Sequence, residues 1–531
     1  MTLTSFPFLV FAALTVLIYY LVPGRGQWVV LLCASGLFYA AAGGWYLPFI
    51  LFTILSTFLV AKLMARHAKR DEDYVAAHKA DLSKEERKAY KAAGKKKRFG
   101  MLCAGLVANF GILAVLKYTG FALSIVSDVL ALFSAPRLSI PSLLLPLGIS
   151  FYTFRATAYL IDVYRGKTEA ACNVARYALF ISFFPAVMQG PICRYGELSR
   201  QLEEAHRPTW TNLSAGLARL LWGAFKKLVV ADTLMVAVET IVASPEEFGG
   251  MYVFLLIVLY SAVIYGDFTG GIDITLGLSR MLGLTLTENF NRPFSSRSTA
   301  EYWNRWHITM GSWFTDYVFY PLSICPSMQR LTKWSRAHLG KAVGMRLPVY
   351  LATLITWFLT GLWHGASWNF IVWGLLNGVI ILVSRELEPL YAKFRGQCPK
   401  LTASAVYGGF ACVRTFFLMG AVRILDCYRD VPVTFKAFAS LFYDFSRWPE
   451  LWNGQAVDKL GLNLPVCLVV ALSVVLIFFV SRAGKKAPVA DRLSARPVLW
   501  TAACLFLSVA ILIFGSYGIG FDAGAFIYAT F

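Results

Sequence analysis

Two histidines in aromatic, weakly charged surroundings are the residues of this chain best suited to acid–base chemistry. The chain has six histidines, and the other four lie in charged or loop-like stretches. His307 lies in the run 301–309, EYWNRWHIT, and His364 in the run 360–368, TGLWHGASW. An ionisable side chain inside an apolar segment is costly, and imidazole titrates close to neutral pH. These two side chains therefore suggest proton transfer to or from a reacting group.

The surroundings of His364 allow two interpretations. If it lies within a helix, Thr360, Ser367 and Trp368 share its face, and hydroxyls so placed can fix the tautomer of an imidazole. A neutral imidazole there could take a proton from a hydroxyl as that hydroxyl attacks a thioester. The alternative is a histidine that bonds to a neighbouring helix and serves only packing.

His307 is equally open on its local sequence. In a helix it would share a face with Trp303 and Asn304, and an amide beside an imidazole could hold a polarised carbonyl or orient a proton carrier. The alternative is an amphipathic histidine in an aromatic belt at the membrane surface.

The composition predicts an all-α polytopic membrane protein. The chain is 57% hydrophobic and only 15% charged, with a mean hydropathy of +0.59, whereas soluble domains carry about 25% charged residues. We expect roughly 11–14 transmembrane or re-entrant helices. The apolar runs lie near 8–22, 27–43, 47–65, 99–116, 120–134, 143–162, 175–192, 212–232, 251–266, 349–365, 367–384, 404–422, 463–481 and 498–518.

Basic polar segments indicate the orientation in the membrane. Residues 65–98 carry 12 Lys and Arg against 6 Asp and Glu, which by the positive-inside rule predicts a cytoplasmic insertion, plausibly a charged helical hairpin. Three apolar runs precede it, so the N-terminus is expected outside. Residues 267–348 are more aromatic than a plain loop, and Ser298 with Glu301 resembles a capping box that opens a helix through His307. Residues 485–497 form a further basic loop.

Other charged and sulfur-containing residues give weaker signals. The net charge of +20 fits basic cytoplasmic loops better than nucleic-acid binding. Ten cysteines without any CxxC pair support neither a metal site nor a disulfide framework. For Asp267, Asp273 and Arg423, which lie in apolar stretches, we favour internal ion pairing or a place at the membrane interface. Lys226–Lys227 reads most simply as a helix end at the lipid headgroups.

Several motifs together resemble the membrane-bound O-acyltransferase family. The resemblance is closest to its bacterial branch of polysaccharide O-acetyltransferase membrane subunits, related to the D-alanyl transfer protein of teichoic acids. Departures lie at Gly270–Gly271, where Gly-Tyr is more common, and around Arg423. The similar segments are Leu145–Phe154 with Asp162–Gly166, Phe183–Tyr195, Tyr265–Gly270 with Asn289–Phe294, Tyr302–Thr309, Gly361–Trp368 and Phe526–Phe531.

The resemblance implies a fold and a set of site residues. Family members bury an active histidine in a central tunnel through a many-helix core, which His364 would supply here, with His307 as the second motif histidine. The resemblance also implies one integral-membrane domain over residues 1–531, with the insertion 65–98 and a peripheral C-terminal helical part 400–531. The residues expected to line the donor-binding tunnel are Asn289, Trp303, Asn304, Trp363 and Ser367.

The resemblance further implies the reaction. We expect a multi-pass protein of the cytoplasmic (inner) membrane that moves an acyl group, most simply acetyl from acetyl-CoA, towards hydroxyls of an extracytoplasmic polysaccharide. Transfer would be direct or through an extracytoplasmic acetyltransferase partner, without metal or nucleic acid. One alternative is D-alanyl transfer from a carrier protein to a cell-wall polymer. An alternative of another class is a transporter or flippase, against which the lack of an internal repeat speaks.

Overall fold

The computed structural model describes residues 2–134, 136–141, 143–485 and 487–517. Within these ranges the chain is helical, and its one β-bridge pairs Phe290 with Trp306. Eight helices of the described part are long and apolar enough to cross a membrane. The predicted class, an all-α polytopic membrane protein, is confirmed. The C-terminal motif Phe526–Phe531 lies outside the described residues.

Contacts between residues divide the chain into two compact units. The first comprises residues 6–209 with 282–286. Two short 3₁₀ turns, Gly24–Gly26 and Gly44–Tyr46, connect its first three helices. The α-helices of this unit are α1 (Phe6–Leu21), α2 (Gln27–Ala42), α3 (Leu47–Ala77), α4 (Lys84–Leu132), α5 (Ile149–Arg165), α6 (Val174–Ser182), α7 (Phe184–Val187) and α8 (Tyr195–Glu203).

Helices α3 and α4 form the charged hairpin that the basic insertion suggested. Arg98 donates to Asp71 at 2.6 Å, and the rings of Tyr74 and Tyr90 stack at 4.5 Å. The prediction of two separate runs at 99–116 and 120–134 was wrong, since α4 is continuous through Leu132. No proline separates the two runs, and a glycine inside a helix costs only about 1 kcal/mol.

The second unit comprises residues 2–5 and 210–281 and the described residues from 287 to 517. It contains two π-helical segments, Lys226–Ala231 and Thr315–Phe319, and the 3₁₀ turn Pro293–Ser295. Its described α-helices are α9 (Trp210–Phe225), α10 (Asp232–Ala243), α11 (Met251–Met281), α12 (Thr299–Trp303), α13 (Ile308–Phe314), α14 (Tyr320–Ile324), α15 (Pro326–His364), α16 (Trp368–Glu386), α17 (Glu388–Gln397), α18 (Pro399–Thr402), α19 (Ala405–Tyr428), α20 (Val431–Ser440), α21 (Pro449–Trp452), α22 (Gln455–Lys459), α23 (Leu464–Ala483), α24 (Val489–Ser494) and α25 (Pro497–Phe514). The single domain predicted over residues 1–531 stays a prediction.

The π-helical segment after α9 buries two lysines that the sequence suggested to be at the headgroups. Lys226 donates to Asp273 at 2.7 Å, and Lys227 donates to Asp267 at 2.6 Å and to Asp232 at 2.7 Å. Both lysines are less than 5% exposed. The headgroup interpretation was therefore wrong, because carboxylates on α10 and α11 pair with these ammonium groups inside the unit. The internal ion pairing favoured for Asp267 and Asp273 is confirmed.

Helices α15 and α16 pack closely through two glycines. A Cβ on Gly361 would lie 2.3 Å from the carbonyl oxygen of Phe370, and one on Gly374 would lie 2.4 Å from that of Trp357. Backbone atoms at these distances leave no room for a side chain. Small residues at such crossings let membrane helices approach one another, and this approach brings the end of α15 against α16.

Candidate functional site

His307 lies at a break between two short helices. Helix α12 ends at Trp303 and α13 begins at Ile308, so the helix predicted to continue from Ser298 through His307 was wrong. The backbone instead pairs with the segment before α12: Asn291 donates to the carbonyl of Arg305 at 2.9 Å, and Ile308 donates to that of Asn289 at 3.0 Å. This pairing, unlike a helix, is set by residues distant in sequence.

The backbone of His307 is strained. Its φ of 49° and ψ of 51° fall in the left-handed region, which costs a non-glycine residue roughly 1–2 kcal/mol. Strain of this kind persists only where the surrounding structure over-determines it, and it clusters at functional sites. The two hydrogen bonds of the bridge supply that constraint here, and they aim the imidazole into the unit.

Asn289 fixes the orientation of the His307 ring. Its side-chain oxygen accepts hydrogen bonds from the backbone N–H of Thr309 at 3.0 Å and from the hydroxyl of Thr309 at 2.9 Å. A backbone N–H only donates, so the atom at this position is the amide oxygen. The same oxygen lies 3.3 Å from Nδ1 of His307. Nδ1 is therefore the protonated nitrogen, and Nε2 carries the lone pair.

The environment keeps His307 neutral. The residue is fully buried and lies outside the eight candidate membrane-spanning helices. Burial, followed by the positive charge of Arg423, lowers the pKa of His307 from 6.5 to about 3. The ring packs edge-to-face on Phe268, with centroids 4.8 Å apart. At neutral pH the imidazole is thus an uncharged donor at Nδ1 and a base at Nε2.

His364 occupies the last position of α15. Gly365 is extended, and α16 starts only at Trp368. The prediction that Ser367 and Trp368 share a helical face with His364 was therefore wrong, because α15 ends at His364 before either residue. The hydroxyl of Thr360 donates to the carbonyl of Thr356, as a hydroxyl in a helix commonly does.

Aromatic rings rather than hydroxyls surround the His364 imidazole. Its ring centroid lies 5.0 Å from Trp363 and 4.7 Å from Trp373, and the ring of Phe370 stacks at 6.4 Å. His364 is only 6% exposed. These three rings form an apolar enclosure around the imidazole, and α16 supplies two of them.

One indole contacts both histidines. The ring centroid of Trp363 lies 6.0 Å from that of His307 and 5.0 Å from that of His364. A second aromatic cluster connects α12 with α15 and α16. The ring centroid of Trp303 lies 4.8 Å from that of Trp357 and 5.8 Å from that of Trp373. The two histidine motifs, distant in the chain, therefore belong to one buried site.

The structure separates the five predicted tunnel-lining residues. Asn289, Trp303 and Trp363 belong to the site around the histidines. The side chain of Asn304 is exposed to solvent, because the turn after α12 points it outward. Ser367 lies in the link before α16, where its hydroxyl donates to the Asn369 side-chain oxygen at 2.5 Å.

Arg423 is a buried member of the site, although the sequence suggested only internal ion pairing or a place at the membrane interface for it. It is 2% exposed, its guanidinium lies 4.1 Å from the Trp306 ring centroid, and it donates to the Tyr302 hydroxyl at 2.7 Å. Arg423 therefore holds the α12–α13 turn against α19. The signal was present in the sequence, since an arginine within an apolar run is rare without a partner.

Helix α19 also contacts the His364 side of the site. The Asn369 side-chain amide donates to the carbonyl of Leu425 at 3.1 Å, two residues after Arg423. One turn of α19 thus fixes both histidine-bearing segments, and hydrogen bonds made in an apolar environment are strong.

The part of the chain that the structure describes contains no cluster of side chains that could serve as metal ligands. No group of three or more His, Cys, Asp or Glu side chains there could hold a metal ion. A cavity of about 530 Å³ lies beside the site, where its walls include Phe290 and Ile308, the chain neighbours of Asn289 and His307.

Comparison with protein families and curated proteins places this site in context. Residues 171–425 match the family model of the MBOAT, membrane-bound O-acyltransferase, family. That region contains both histidines and also Asn289 and Arg423. The match to the family model over these residues agrees with the resemblance drawn from the motifs.

Three curated relatives align with much of this chain. A probable alginate O-acetylase of Azotobacter vinelandii is 34% identical over 289 residues, which are 54% of this chain and 54% of the relative. One from Pseudomonas aeruginosa is 31% identical over 379 residues, 71% of this chain and 66% of the relative. A peptidoglycan O-acetyltransferase of Helicobacter pylori is 28% identical over 402 residues, 71% of this chain and 67% of the relative. The chain thus spans between about half and two thirds of the curated relatives it matches.

Proposed function

We propose that this protein is a transmembrane O-acyltransferase, because residues 171–425 match the family model of the membrane-bound O-acyltransferase family. The transferred group is acetyl, and it moves from a cytoplasmic thioester towards hydroxyls of an extracytoplasmic polysaccharide. Relatives named as O-acetylases of alginate and as an O-acetyltransferase of peptidoglycan support a carbohydrate acceptor. The observation that carries the proposal is the pair of buried imidazoles on one indole ring, Trp363.

In this proposal His364 acts as the general base. Its imidazole takes the proton of the acceptor hydroxyl while the hydroxyl oxygen attacks the thioester carbonyl carbon. The C–O bond forms, the C–S bond breaks, and the departing thiolate receives the proton from the imidazolium. Apolar rings around His364 exclude water, which would otherwise hydrolyse the thioester.

His307 and Asn289 support the reacting carbonyl. Burial keeps His307 uncharged, and Asn289 holds its ring in one tautomer. The Asn289 amide nitrogen is buried and makes no hydrogen bond to the described part of the chain. A buried N–H donor of this kind suits the oxygen on which negative charge develops during acyl transfer.

The donor in this proposal is acetyl-CoA. The protein lies in the cytoplasmic (inner) membrane with its N-terminus outside, because three apolar segments, namely α1, α2 and the first part of α3, precede the basic insertion 65–98 and basic loops stay in the cytoplasm. The lipid bilayer is one partner. The other is the extracytoplasmic polysaccharide, which accepts the group directly or through an extracytoplasmic acetyltransferase.

The decisive experiment measures thioester consumption by the purified protein in lipid vesicles supplied with an acetyl acceptor. We expect His364→Ala to lower the turnover of acetyl-CoA at least a hundredfold, while the protein keeps its thermal unfolding midpoint. His338→Ala is the matched control, because His338 is exposed and bonds only to its own helix. Full turnover by a folded His364→Ala variant would refute the assignment.

The same assay separates the alternatives. A requirement for D-alanine on a phosphopantetheine carrier protein, with no use of acetyl-CoA, would favour D-alanyl transfer. Movement of a polymer across the vesicle membrane with no thioester consumed would favour a transporter. Mass spectrometry of cell-surface polymers with and without the protein would then identify the acceptor.

A further inference from the structure

Two cavities lie against α23 in the second unit, and the larger is the cavity beside the histidine site. The larger has a volume of about 530 Å³ and the smaller about 360 Å³. Both are lined by Tyr265, Arg292, Ile477 and Ser481, so these residues form a wall between them. The acyl-transfer proposal leaves the smaller cavity without a role.

The smaller cavity is an apolar slot between two candidate membrane-spanning helices. Val258 and Ala262 of α11 line one side, and Val470, Val474 and Phe478 of α23 line the other. The slot follows α23 from Val470 to Ser481, which at 1.5 Å per residue is about 16 Å. A slot of this length and polarity matches a hydrocarbon chain better than a compact polar metabolite.

Arg292 brings a cation to one end of this slot. The side chain is half-buried, and its Nε donates to the Asn291 side-chain oxygen at 3.4 Å. No carboxylate among the described residues lies within ion-pairing distance of it. Its neighbours in the larger cavity differ, because Arg219 and Lys226 both pair with Asp273.

The backbone conformation of Arg292 is strained. Its φ of 50° and ψ of 60° are left-handed, which costs a non-glycine residue roughly 1–2 kcal/mol. A half-buried guanidinium without a carboxylate partner is also unfavourable unless an anion joins it. Strain and an uncompensated charge at the same residue indicate an anionic group beside Arg292.

The depth of Arg292 along α23 identifies the kind of anion. Ser481, which shares the wall with Arg292, lies two residues before α23 ends at Ala483. The basic residues Lys485, Arg492 and Arg496 follow in the next loop and helix start. The cation thus lies level with the helix end, and the apolar slot runs from it towards the middle of the span. A phospholipid has its phosphate and chain in that same order.

We propose that the smaller cavity binds one acyl chain of a phospholipid, and that Arg292 binds the phosphate of that lipid. The lipid comes from the leaflet that borders residues 484–496. Guanidinium groups bind phosphate through paired, charge-assisted hydrogen bonds, and burying the chain contributes about 0.8 kcal/mol per CH₂ group. This lipid is a structural ligand, separate from the acyl donor and acceptor.

Native mass spectrometry of the delipidated, full-length protein tests the proposal, with phosphatidylglycerol as the probe. We expect Arg292→Gln to weaken binding roughly tenfold, since a hydrogen bond to a charged group is lost, and Arg292→Lys to weaken it less. Diacylglycerol with the same chains lacks the phosphate, and we expect it to bind about tenfold more weakly as well.

A pair of neighbouring substitutions on α23 provides the matched control. Val474 lines the slot and Val475 does not, although their exposures are similar at 44% and 50%. Val474→Trp should fill the slot and reduce lipid binding, whereas Val475→Trp should leave it unchanged. This comparison also stands if Arg292→Gln fails to fold.

Three outcomes would overturn the proposal. Equal binding of diacylglycerol and phosphatidylglycerol would exclude recognition of phosphate. Equal effects of Val474→Trp and Val475→Trp would exclude a chain in the slot. Displacement of phosphatidylglycerol by coenzyme A would assign the Arg292 cation to the phosphates of an acyl donor.

Discussion

The side-chain oxygen of Asn289 lies 3.3 Å from Nδ1 of His307 and accepts two further hydrogen bonds from Thr309. One amide oxygen thereby sets both the ring orientation and the start of α13. Its amide nitrogen is buried and makes no hydrogen bond to the described part of the chain. Asn289 is therefore placed to act on the proposed reaction through His307 and directly on the acyl carbonyl.

We predict that Asn289→Ala lowers kcat by roughly a hundredfold, because a misplaced supporting group costs about that much. The KM for acetyl-CoA should change little if Asn289 acts mainly during the reaction. Asn304→Ala provides the comparison, since Asn304 is exposed, and should have the smaller effect. The reverse order in steady-state kinetics would show that the exposed asparagine carries the role.

Arg423 should stabilise the α12–α13 turn. We predict that Arg423→Lys lowers the free energy of unfolding by about 2 kcal/mol, because lysine loses the stacking on Trp306 and the planar hydrogen-bond geometry. Arg414→Lys on the same helix is the control, since Arg414 is exposed. Denaturant unfolding in micelles measures both variants.

A double-mutant cycle then tests the bond from Arg423 to Tyr302. If the 2.7 Å hydrogen bond matters, Tyr302→Phe should destabilise the native protein more than the Arg423→Lys variant. Interaction energies of contacting residues are about 0.5–3 kcal/mol. Strict additivity of the two substitutions would contradict the coupling.

The buried, neutral state of His307 predicts a dependence of stability on pH. Its pKa is about 3 in the folded protein and about 6.5 when unfolded, so the unfolded state binds more protons between these values. The contribution of His307 to the free energy of unfolding is therefore complete above pH 6.5, and it is lost progressively as the pH falls towards 3. Thermal unfolding at pH 7.5 and pH 5 should therefore show a smaller decrease for His307→Gln than for the native protein. Equal decreases would contradict this prediction.

The close approach of α15 and α16 should be sensitive to a single methyl group. We predict that Gly374→Ala destabilises the protein by about 1–3 kcal/mol, as overpacking does, because its Cβ would lie 2.4 Å from the Trp357 carbonyl oxygen. Activity should also fall, since Trp373 beside it packs on His364. Gly396→Ala meets no atom within 4 Å and should be neutral or slightly stabilising. Thermal unfolding and acetyl-CoA turnover measure the pair.

Much of the helical framework follows from apolar runs in the sequence. The runs 367–384, 404–422 and 463–481 correspond to α16, α19 and α23, because a stretch of about 20 apolar residues has few other stable conformations in lipid. The charged α3–α4 hairpin was also predictable, since the basic residues mark the polar insertion between spans.

The local geometry of the site was less predictable. Helical spacing suggested Asn304 as the partner of His307, yet a β-bridge brings Asn289 there instead. Helical spacing also placed Ser367 and Trp368 on the face of His364, but α15 ends at His364. In both cases long-range pairing and helix crossing override the local periodicity, and a single sequence contains no direct signal for either.

The long hairpin of α3 and α4 has a practical consequence for imaging this protein. At 1.5 Å per residue, the 49 residues of α4 extend about 74 Å, more than twice the hydrocarbon thickness of about 30 Å. The tip at residues 78–83 is mostly exposed, and the Asp71–Arg98 ion pair joins α3 to α4 further along the hairpin. A folded domain inserted at such a tip should be tolerated. If such a domain were joined to α3 and α4 by continuous helices, it would serve as a rigid fiducial marker for electron microscopy of this small membrane protein.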